Sequence, residues 1–335
     1  MNPIAPALER LSAEIAALTG GRVDVPALGI TDRAGHLPLA EPGLRSPNGA
    51  CRLVRAADRW IAVNLAREED RQLVPAWLGC EWGAEPWAAI SAIAPLRPAR
   101  DLAADAAELG LPVGLVGEVS ARTPDAPTLP LGAGSARDRT SRVVDLSALW
   151  AGPLCGAIMA EAGADVVKVE SLRRPDPTRE HTPELFRRLN GKKTELRLDL
   201  SSAVGRARLL AQVAAADVLI TSARRRGLAS LGLDPHRMAQ ANPGLIWVAI
   251  SGYGWEDARD RAAFGDDAAA AGGLVRWSDG VPQFLGDALA DPVTGLAAAA
   301  GALRALTERR SCVVDAGLAV CAAGAASLCD LEAAA

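Results

Sequence analysis

The sequence has few of the residues that build metal centres or disulfide frameworks. Its 335 residues include only three histidines, which stand far apart at positions 36, 181 and 236. Among the six cysteines no two form a Cys-x-x-Cys pair, so the ligand spacing of a structural zinc site is missing. We therefore expect no metal, and we expect most of the cysteines to be small buried hydrophobic side chains.

Positive charge and long apolar runs are also scarce. The formal net charge is −4 and no long basic run occurs, which argues against nucleic acid or an anionic membrane as a partner. No stretch reaches the roughly 18 uncharged apolar residues of a membrane-spanning helix. The N-terminus, MNPIAPALERLSAEIAAL, lacks the basic start and long apolar centre of a signal peptide. These absences predict a cytoplasmic protein.

Apolar residues, alanine above all, are plentiful. Half of the residues are hydrophobic and 23% are charged, which suits a sizeable core in one large or two smaller domains. Abundant alanine beside three Phe, one Tyr and three Met suggests a bacterial gene. The segment 120–141 is rich in Pro, Gly, Ser and Arg, and we interpret it as a linker. It would separate a smaller N-terminal domain, 1–119, from a larger one, 142–335.

The N-terminal region has mixed helix and strand patterns. Residues 6–18 have the spacing of an amphipathic helix, and CRLVRAADRWIAVNL alternates like a β-hairpin with its turn at AADR. Two more helical patterns follow, EEDRQLVPAWLG and PARDLAADAAELG. This combination predicts a small α+β domain.

From residue 142 onward, strand and helix patterns alternate. Short apolar runs typical of buried strands occur at RVVDLS, ADVVKVES, ELRLDL, DVLITS and LIWVAIS, with helical or loop segments between them. Such alternation predicts an α/β fold, with a Rossmann-like parallel sheet and helices on both of its faces.

Two chemistries that are common on such sheets fit the sequence poorly. Glu170 ends the second strand, where an NAD-binding fold holds a ribose hydroxyl, but the first strand–helix turn, LSALWAGPLCG, has no G-x-G-x-x-G. Pro153 in that turn would also obstruct the approach of a pyrophosphate. A serine nucleophile has equally little support, because Ser222 and Ser251 end strands but neither lies in a G-x-S-x-G elbow.

The stretch LGDALADPVTG, residues 285–295, suggests a third chemistry. Asp291 lies directly before a proline and the strong helix former LAAAAGALRAL, so it could simply cap that helix. A helix N-terminus also favours an ionised carboxylate in a fixed place, which a nucleophile requires. Spacing alone favours capping, and the two roles are compatible.

Seven segments, in order, resemble the class III CoA-transferases, a family that includes formyl-CoA transferase, carnitine CoA-transferase and α-methylacyl-CoA racemase. They are VVDLSALWAGPLCGAIMAEAGADVVKVES, NGKKTELRLDL, AADVLITSARRRGLASLGLD, NPGLIWVAISGYG, FGDDAAAAGGL, LADPVTGLAAAAGALRAL and CVVDAGL. The resemblance covers residues 142–320. It implies transfer of CoA from an acyl-CoA to a carboxylic acid, with coenzyme A as part of the substrate and no tightly bound cofactor.

The resemblance also implies roles for particular residues. Asp291 matches the family's nucleophile, which forms an acyl anhydride and then an aspartyl CoA thioester, and Asp287 is the alternative if the register is shifted. Apart from the resemblance, Gly272 and Gly273 allow the backbone to approach a substrate, and we expect N–H groups near them to stabilise the tetrahedral oxyanion. The matching CoA positions and nearby cations are Leu149, Trp150, Arg173, Arg174, Leu198, Ser222, Ala223, Arg224, Arg225 and Arg226.

Departures from the family pattern leave alternatives open. Asp266 and Asp267 stand where racemases have a histidine, so one proton-shuttling base is missing and transfer is favoured. A racemase or isomerase and a non-catalytic CoA-binding subunit are the alternatives. The smaller domain that normally follows CVVDAGL is weakly matched by N-terminal segments instead, which suggests a permuted or truncated order. Family members form interlocked homodimers, so the resemblance implies a homodimer.

Overall fold

The structure is a computed structural model that describes residues 2–132, 134 and 140–329. The helices are α1 Ala5–Leu18, α2 Val25–Leu28, α3 Glu68–Leu78, α4 Pro86–Ile93, α5 Ala99–Leu109, α6 Ala151–Glu161, α7 Thr178–His181, α8 Pro183–Asn190, α9 Ala203–Ala214, α10 Arg225–Ser230, α11 Pro235–Ala241, α12 Gly265–Ala271, α13 Ala290–Thr307 and α14 Leu318–Ala326. The strands are β1 Cys51–Arg55, β2 Trp60–Asn64, β3 Val113–Leu115, β4 Thr128–Gly132, β5 Arg142–Leu146, β6 Asp165–Ser171, β7 Thr194–Leu198, β8 Val218–Thr221, β9 Ile246–Ser251, β10 Val275–Ser278, β11 Val281–Phe284 and β12 Ser311–Gly317.

A seven-stranded sheet forms the centre of the molecule, in the order β4-β12-β9-β8-β5-β6-β7. All neighbouring pairs from β12 to β7 are parallel, and β4 adds an antiparallel edge strand. The middle strands β8 and β9 are buried almost throughout, as expected of strands covered on both faces. The predicted α/β class is confirmed.

Helices cover both faces of this sheet. Helices α6, α12, α13 and α14 belong to the core on one face, and α9 and α10 to the core on the other. Gly295 of α13 lies so close to α6 that the carbonyl oxygen of Ala151 is 2.8 Å from where a Cβ would be. A larger residue would push the two helices apart, so this glycine permits the close packing of the elements that carry the site.

The N-terminal hairpin is present as predicted. Strand β1 pairs antiparallel with β2 across the turn 56–59, and β2 also pairs with β3. Helices α3, α4 and α5 pack on this small sheet around a core of their own. Helices α3 and α5 end at Gly79 and Gly110, whose φ values of 67° and 72° are left-handed, a conformation in which a Cβ would be strained.

The N-terminal region also contributes to the large unit. Ile4, Leu11 and Ile15, from α1 and the residue before it, lie in the core beside α13. Strand β4 falls inside the predicted linker, yet it is the edge strand of the seven-stranded sheet; another part of the linker lies outside the described residues. The domain boundaries at 120 and 141 therefore stay a prediction.

Candidate active site

A cavity of about 470 Å³ lies at the carboxyl ends of β5, β8 and β9, the edge at which open α/β sheets bind ligands. Its wall is formed by the turns that follow these strands, by the first turn of α13 and by one arginine from the N-terminal region. The lining residues used below are Asp291, Leu149, Ser222, Arg174, Arg224, Arg225, Arg226, Arg67 and Arg261.

Asp291 presents its carboxylate in the cavity wall from the first turn of α13. The backbone amide of Ala151, the first residue of α6, favours the ionised form of this carboxylate. Gly265 is so close that Oδ2 of Asp291 lies 2.0 Å from the position a Cβ of residue 265 would take. The starts of α6, α12 and α13 therefore converge on one side chain and fix its place.

The pKa of Asp291 is raised to about 7. Burial is the largest cause, and the carboxylates of Asp266 and Asp287 add to it, whereas Arg33 and the amide of Ala151 act in the opposite direction. The sequence predicted that the helix N-terminus would hold Asp291 ionised. This was wrong about which effect dominates, because burial outweighs the helix N-terminus and raises the pKa. A helix dipole contributes only about 0.3–1 kcal/mol at an exposed site, and desolvation of a buried carboxylate outweighs it.

Asp287, the alternative nucleophile, is engaged in an ion pair. Arg33 donates two hydrogen bonds to its carboxylate, each 2.7 Å long. The side-chain amide of Asn48 donates to Asp287 (2.7 Å) and also to Asp266 (2.6 Å). Asp287 does not line the cavity, so the geometry favours Asp291 as the reacting carboxylate.

Asp266 and Asp267 stand in the first turn of α12 and are both buried. Asp266 accepts a hydrogen bond from the backbone N–H of Ala288 (2.7 Å), and Asp267 accepts one from the side-chain amide of Asn64 (2.9 Å). Burial, with the charge of Asp287 as the second cause, raises the pKa of Asp266 to about 6. Burial also raises the pKa of Asp267 to about 8.

Several positions that the resemblance assigned to CoA do line the cavity. They are Leu149, Arg174, Ser222, Ala223, Arg224, Arg225 and Arg226. The hydroxyl oxygen of Ser222 accepts a hydrogen bond from the N–H of Ala148 (3.0 Å), so it joins the turn after β8 to the turn after β5. Parallel strands bring these two turns together at one edge of the sheet.

The arginines of the cavity carry more charge than the nearby carboxylates balance. Arg225 lies 3.5 Å from Asp260, but Arg174, Arg224 and Arg226 form no ion pair with a described carboxylate. Burial lowers the pKa of Arg224, and repulsion from Arg226 adds to that effect. Such an excess of guanidinium groups is suited to phosphate oxygens, which accept charge-assisted hydrogen bonds.

Three of the predicted positions lie away from the cavity. Trp150 is 2% exposed and its indole N–H donates to the carbonyl of Ile30 (2.9 Å). Leu198 is also 2% exposed and packs in the core of the opposite face. Arg173 is exposed and lies 3.6 Å from Asp199. Burial of a large apolar side chain stabilises the fold by about 1.5–3 kcal/mol, which explains why Trp150 and Leu198 lie in the core. A sequence motif does not reveal this burial.

The predicted oxyanion loop does not reach the cavity either. The N–H of Gly272 donates to Ala268 (2.9 Å) and that of Gly273 donates to Ala270 (3.0 Å), so both amides are bound within the end of α12. Gly272 packs on α14, with the backbone nitrogen of Ala323 2.6 Å from its Cβ position. These glycines permit close helix packing, and the geometry gives no support for an oxyanion role.

Four polar side chains at the site escaped the sequence reasoning. Arg33 and Asn48 contact the aspartates, and Arg67 and Arg261 line the cavity. Arg261 also lies 3.1 Å from Glu118. All are single polar residues in segments without a recognisable motif, and Arg33, Asn48 and Arg67 come from a region that the family motifs do not cover. The one sequence feature that could have pointed to these residues is weak: they are polar side chains in loop-rich segments.

A buried ionic network supports the turn between β5 and α6. The amino group of Lys168 donates to the carbonyl of Ser147 (2.7 Å) and lies 3.1 Å from Asp176. Asp176 accepts a hydrogen bond from the N–H of Leu149 (3.2 Å), whose φ of 70° is left-handed and unfavourable for leucine. The network thus stabilises a strained turn in the cavity wall.

A second buried pair lies beneath the same turn. Lys193 and Asp145 are 2.7 Å apart with both side chains fully inaccessible. Lys193 also donates to the carbonyl of Pro153 and to Asn190. Burial by itself would raise the pKa of Asp145, but Lys193 and Lys168 outweigh it and the pKa is lowered.

Neither a metal centre nor a membrane span is found in the part of the chain that the structure describes. No group of three or more His, Cys, Asp and Glu residues there has the arrangement to hold a metal ion. No described helix combines the length and the apolar character needed to cross a membrane.

Curated CoA-transferases resemble the chain over about half of its length. It is 33% identical to the succinyl-CoA–D-citramalate CoA-transferase of Chloroflexus aurantiacus over 192 residues, 53% of this chain and 48% of that protein. It is also 33% identical to the succinate–glutarate CoA-transferase of Agrobacterium fabrum, over 46% of this chain and 43% of that protein. A formyl-CoA:oxalate CoA-transferase of Rhodopseudomonas palustris is 30% identical, over 50% of this chain and 42% of that protein. The chain spans about half the length of these curated relatives.

Solved structures are similar to the same extent. A CAIB/BAIF family protein from Brucella suis has a TM-score of 0.51 and 30% identity, covering 59% of this chain and 55% of that one. A hypothetical protein from Mycobacterium tuberculosis has a TM-score of 0.50 and 27% identity, covering 56% and 57%. Residues 140–328 match the family described as CoA-transferase family III, which is the family that the sequence motifs predicted. On this match, which takes in more than half of its residues, the chain belongs to CoA-transferase family III.

Proposed function

We propose that the protein transfers CoA from an acyl-CoA to a carboxylic acid, with Asp291 as the nucleophile. The observation that carries the proposal is the cavity itself. Its wall contains the carboxylate of Asp291 together with Arg174, Arg224 and Arg226, which form no ion pair with a described carboxylate. An acyl-CoA has an electrophilic carbonyl at one end and phosphates at the other. The carboxylate of Asp291 and the group of arginines match these two requirements.

The reaction balances without a further reagent. An oxygen of Asp291 attacks the thioester carbonyl, the C–S bond breaks, and an acyl–aspartyl anhydride and CoA thiolate form. The thiolate then attacks the aspartyl carbonyl, which releases the donor acid and leaves an aspartyl CoA thioester. The acceptor carboxylate attacks that thioester, and the thiolate released attacks the acyl carbonyl of the second anhydride. The products are the new acyl-CoA and free Asp291.

The surroundings of Asp291 suit this chemistry. A carboxylate whose pKa is about 7 is a stronger base, and therefore a better nucleophile, than an ordinary aspartate, while a large fraction is still ionised near neutral pH. The half-buried position limits the access of water, which would otherwise hydrolyse the anhydride. The hydrogen-bonded turn at Ala288 and the close contact with Gly265 hold the side chain in place.

Intact-mass spectrometry after incubation with a panel of acyl-CoAs tests the proposal. We expect a CoA-sized adduct that hydroxylamine removes and that maps by peptide analysis to Asp291. The variant Asp291→Asn should form no adduct and should lose activity by at least about a thousandfold, as expected when a nucleophile is removed. The matched control is Asp105→Asn, an exposed aspartate on α5, which should behave like the wild type. An adduct that persists in Asp291→Asn and disappears in Asp287→Asn would assign the role to Asp287 instead.

The racemase alternative has less support from the geometry. It needs a second base that reaches the substrate, and the nearby candidate is Asp266, whose oxygens are taken by Asn48 and by the N–H of Ala288. Asp266 does not line the cavity. Exchange of the α-proton of a branched acyl-CoA with deuterated solvent, without an adduct, would nevertheless favour a racemase. Binding of CoA that is unchanged in Asp291→Ala, with neither exchange nor adduct, would favour a non-catalytic subunit.

A homodimer is part of the same proposal. It is supported by the family resemblance, which implies a homodimer because family members form interlocked homodimers. Size-exclusion chromatography with light scattering should give about twice the chain mass of 34.6 kDa. A mass of one chain at micromolar concentration would contradict this part and leave the chemistry at Asp291 to be judged separately.

A further inference from the structure

The segment between α2 and β1, residues 29–50, brings two polar side chains to the aspartates beside the cavity. Arg33 and Asn48 are separated from Asp287 by 254 and 239 positions in the sequence. No CoA-transferase motif covers this segment, because the family match begins at residue 140. The contacts are therefore a feature of this chain's own N-terminal region.

Arg33 is held firmly. Both of its hydrogen bonds to Asp287 are 2.7 Å, in the two-pronged arrangement that arginine makes with a carboxylate. Its guanidinium lies 4.8 Å from the ring centre of Trp150, and the indole of Trp150 is itself fixed by the carbonyl of Ile30. The buried tryptophan, which the resemblance had assigned to CoA, thus supports Arg33.

Asn48 joins two carboxylates. Its Nδ2 lies 2.7 Å from Asp287 and 2.6 Å from Asp266, so it donates one hydrogen bond to each. Its Oδ1 accepts a hydrogen bond from the N–H of Ala50 (2.9 Å) and lies 3.1 Å from the hydroxyl of Ser46. The bond from Ala50 requires an oxygen at that position of the amide, which leaves the nitrogen facing the carboxylates.

Asp266 is linked in turn to the backbone of the nucleophile. The N–H of Ala288 donates to Asp266 (2.7 Å), and the carbonyl of Ala288 accepts from the N–H of Asp291 (3.0 Å). Ala288 has a left-handed φ of 46°, which costs alanine about 1 kcal/mol or more. The hydrogen bond from Ala288 to Asp266 stabilises this turn directly before α13.

We propose that Arg33 and Asn48 are positioning residues, which hold Asp287 and Asp266 in a fixed anionic pair and thereby set the place and the charge state of the Asp291 carboxylate. The proposal rests on the proposed function of Asp291. In it, Arg33 supplies the positive charge that keeps part of the Asp291 population ionised, and Asp287 moderates that charge. Neither residue touches the substrate.

The other charged groups near α13 do not replace Arg33. The largest charge effects on Asp291 come from Arg33, Asp266 and Asp287. Among the helices and strands packed on α13, α14 and β9 have no charged residue, β12 has Asp315, and α12 has Asp266 and Asp267. The charged residue on α6 is Glu161, which pairs with Lys192. On α1, Arg10 pairs with Asp125, and Glu14 pairs with Arg304 near the far end of α13. The remaining charged residue of α1 is Glu9.

Carboxyl-carbon NMR of protein labelled with ¹³C-aspartate tests the proposal without relying on turnover, with the Asp291 signal assigned by its loss in Asp291→Asn. In Arg33→Gln, the pKa of Asp291 should rise by about one unit, because a nearby positive charge is lost. In Asp287→Asn it should fall, because a negative charge is lost and Arg33 is released from its partner. Arg33→Lys keeps the charge and should restore most of the wild-type value.

Opposite shifts distinguish positioning from general loosening of the structure. A variant that merely disturbed folding would expose Asp291 to water and lower its pKa in every case. Arg10→Gln is the matched control, since Arg10 makes a similar two-pronged pair with Asp125 on the surface, and it should leave the signal unchanged. Equal values in wild type, Arg33→Gln and Asp287→Asn, or shifts of the same sign, would overturn the proposal.

The rate of adduct formation against pH gives the second readout. The acid limb should move to higher pH in Arg33→Gln and to lower pH in Asp287→Asn. The rate at high pH in Arg33→Gln should recover to within about threefold of the wild type, since Asn48 still holds Asp266 and Asp287 and the main change is in the ionised fraction of Asp291. Absence of any adduct in the wild type would reject the proposed function, and the NMR titration would still decide whether Arg33 controls Asp291.

Discussion

Two buried ionic clusters flank α6, and they differ in charge balance. Beneath the β5–α6 turn, Lys168 and Lys193 face Asp145 and Asp176, two cations against two anions. Beside the cavity, four aspartates outnumber the nearby cations Arg33 and Arg67 and also accept hydrogen bonds from the amides of Asn48 and Asn64. These aspartates are Asp266, Asp267, Asp287 and Asp291.

The difference in balance appears in the protonation of the carboxyl groups. In the balanced cluster the pKa of Asp145 is lowered despite complete burial. In the unbalanced cluster the pKa values of Asp266, Asp291 and Asp267 rise to about 6, 7 and 8. A full set of partners keeps a buried carboxylate ionised, whereas an incomplete set leaves its pKa near neutral pH. The first arrangement suits a structural support and the second a reacting group.

The largest effect on stability should come from unbalancing the balanced cluster. Lys193→Met leaves Asp145 buried without its nearest cation, which should lower the free energy of unfolding by about 3–5 kcal/mol. Denaturant unfolding followed by circular dichroism measures this. The matched control is the neighbouring Lys192→Met, whose exposed pair with Glu161 should contribute at most about 1 kcal/mol.

A double variant sharpens that result. Lys193→Met with Asp145→Asn removes both charges and should recover part of the lost stability, since the uncompensated charge is the main cause of the loss. A double variant no more stable than Lys193→Met would contradict the description of this cluster as a charge-balanced pair.

A smaller effect is expected from steric displacement of the nucleophile. In Gly265→Ala, the new Cβ would lie 2.0 Å from Oδ2 of Asp291 and 2.8 Å from the carbonyl oxygen of Ala288. Both must shift, and a misplaced nucleophile should slow adduct formation by about 10–100-fold. Gly43→Ala is the control, because nothing lies within 4 Å of its Cβ position. An unchanged rate in Gly265→Ala would show that the carboxylate has another productive position.

A more gradual effect concerns the dependence of stability on pH. The folded pKa of Asp267, about 8, is above the unfolded value of about 3.9, so its contribution is fully present below about pH 4 and is lost as the pH rises towards 8. Asp267→Asn should therefore reduce the fall in unfolding free energy between pH 5 and 7, by at most about 1.4 kcal/mol per pH unit.

Asp145 provides the opposite case for the same titration. Its lowered folded pKa contributes stability that is present above the unfolded pKa and is lost as the pH falls. Asp145→Asn should therefore remove stability at neutral pH and reduce the loss in acid. If both variants changed the slope of unfolding free energy against pH in the same direction, our description of the two clusters as opposite in charge balance would be wrong.

Local patterns were sufficient for much of the fold. The alternation from residue 142 predicted β5, β6, β7, β8 and β9, and the AADR turn predicted the β1–β2 hairpin. Strand β4 was missed because it lies in a segment rich in Pro and Gly, and its pairing with β12 is a contact across the sequence. Asp291, Leu149 and Ser222, which the family motifs pointed to, do line the cavity, and their roles stay predictions.

The sequence by itself determined the alternation of strands and helices, the family, and the aspartate at the start of α13, because each depends on neighbouring residues in the chain. Tertiary structure alone decided that Arg33 and Asn48 meet Asp287, that Gly272 packs on α14, and that Asp291 is close to neutrality. The physical reason is that desolvation and Coulomb interactions depend on distance in space, and Arg33 and Asn48 lie more than 200 residues in the chain from the aspartates that they contact.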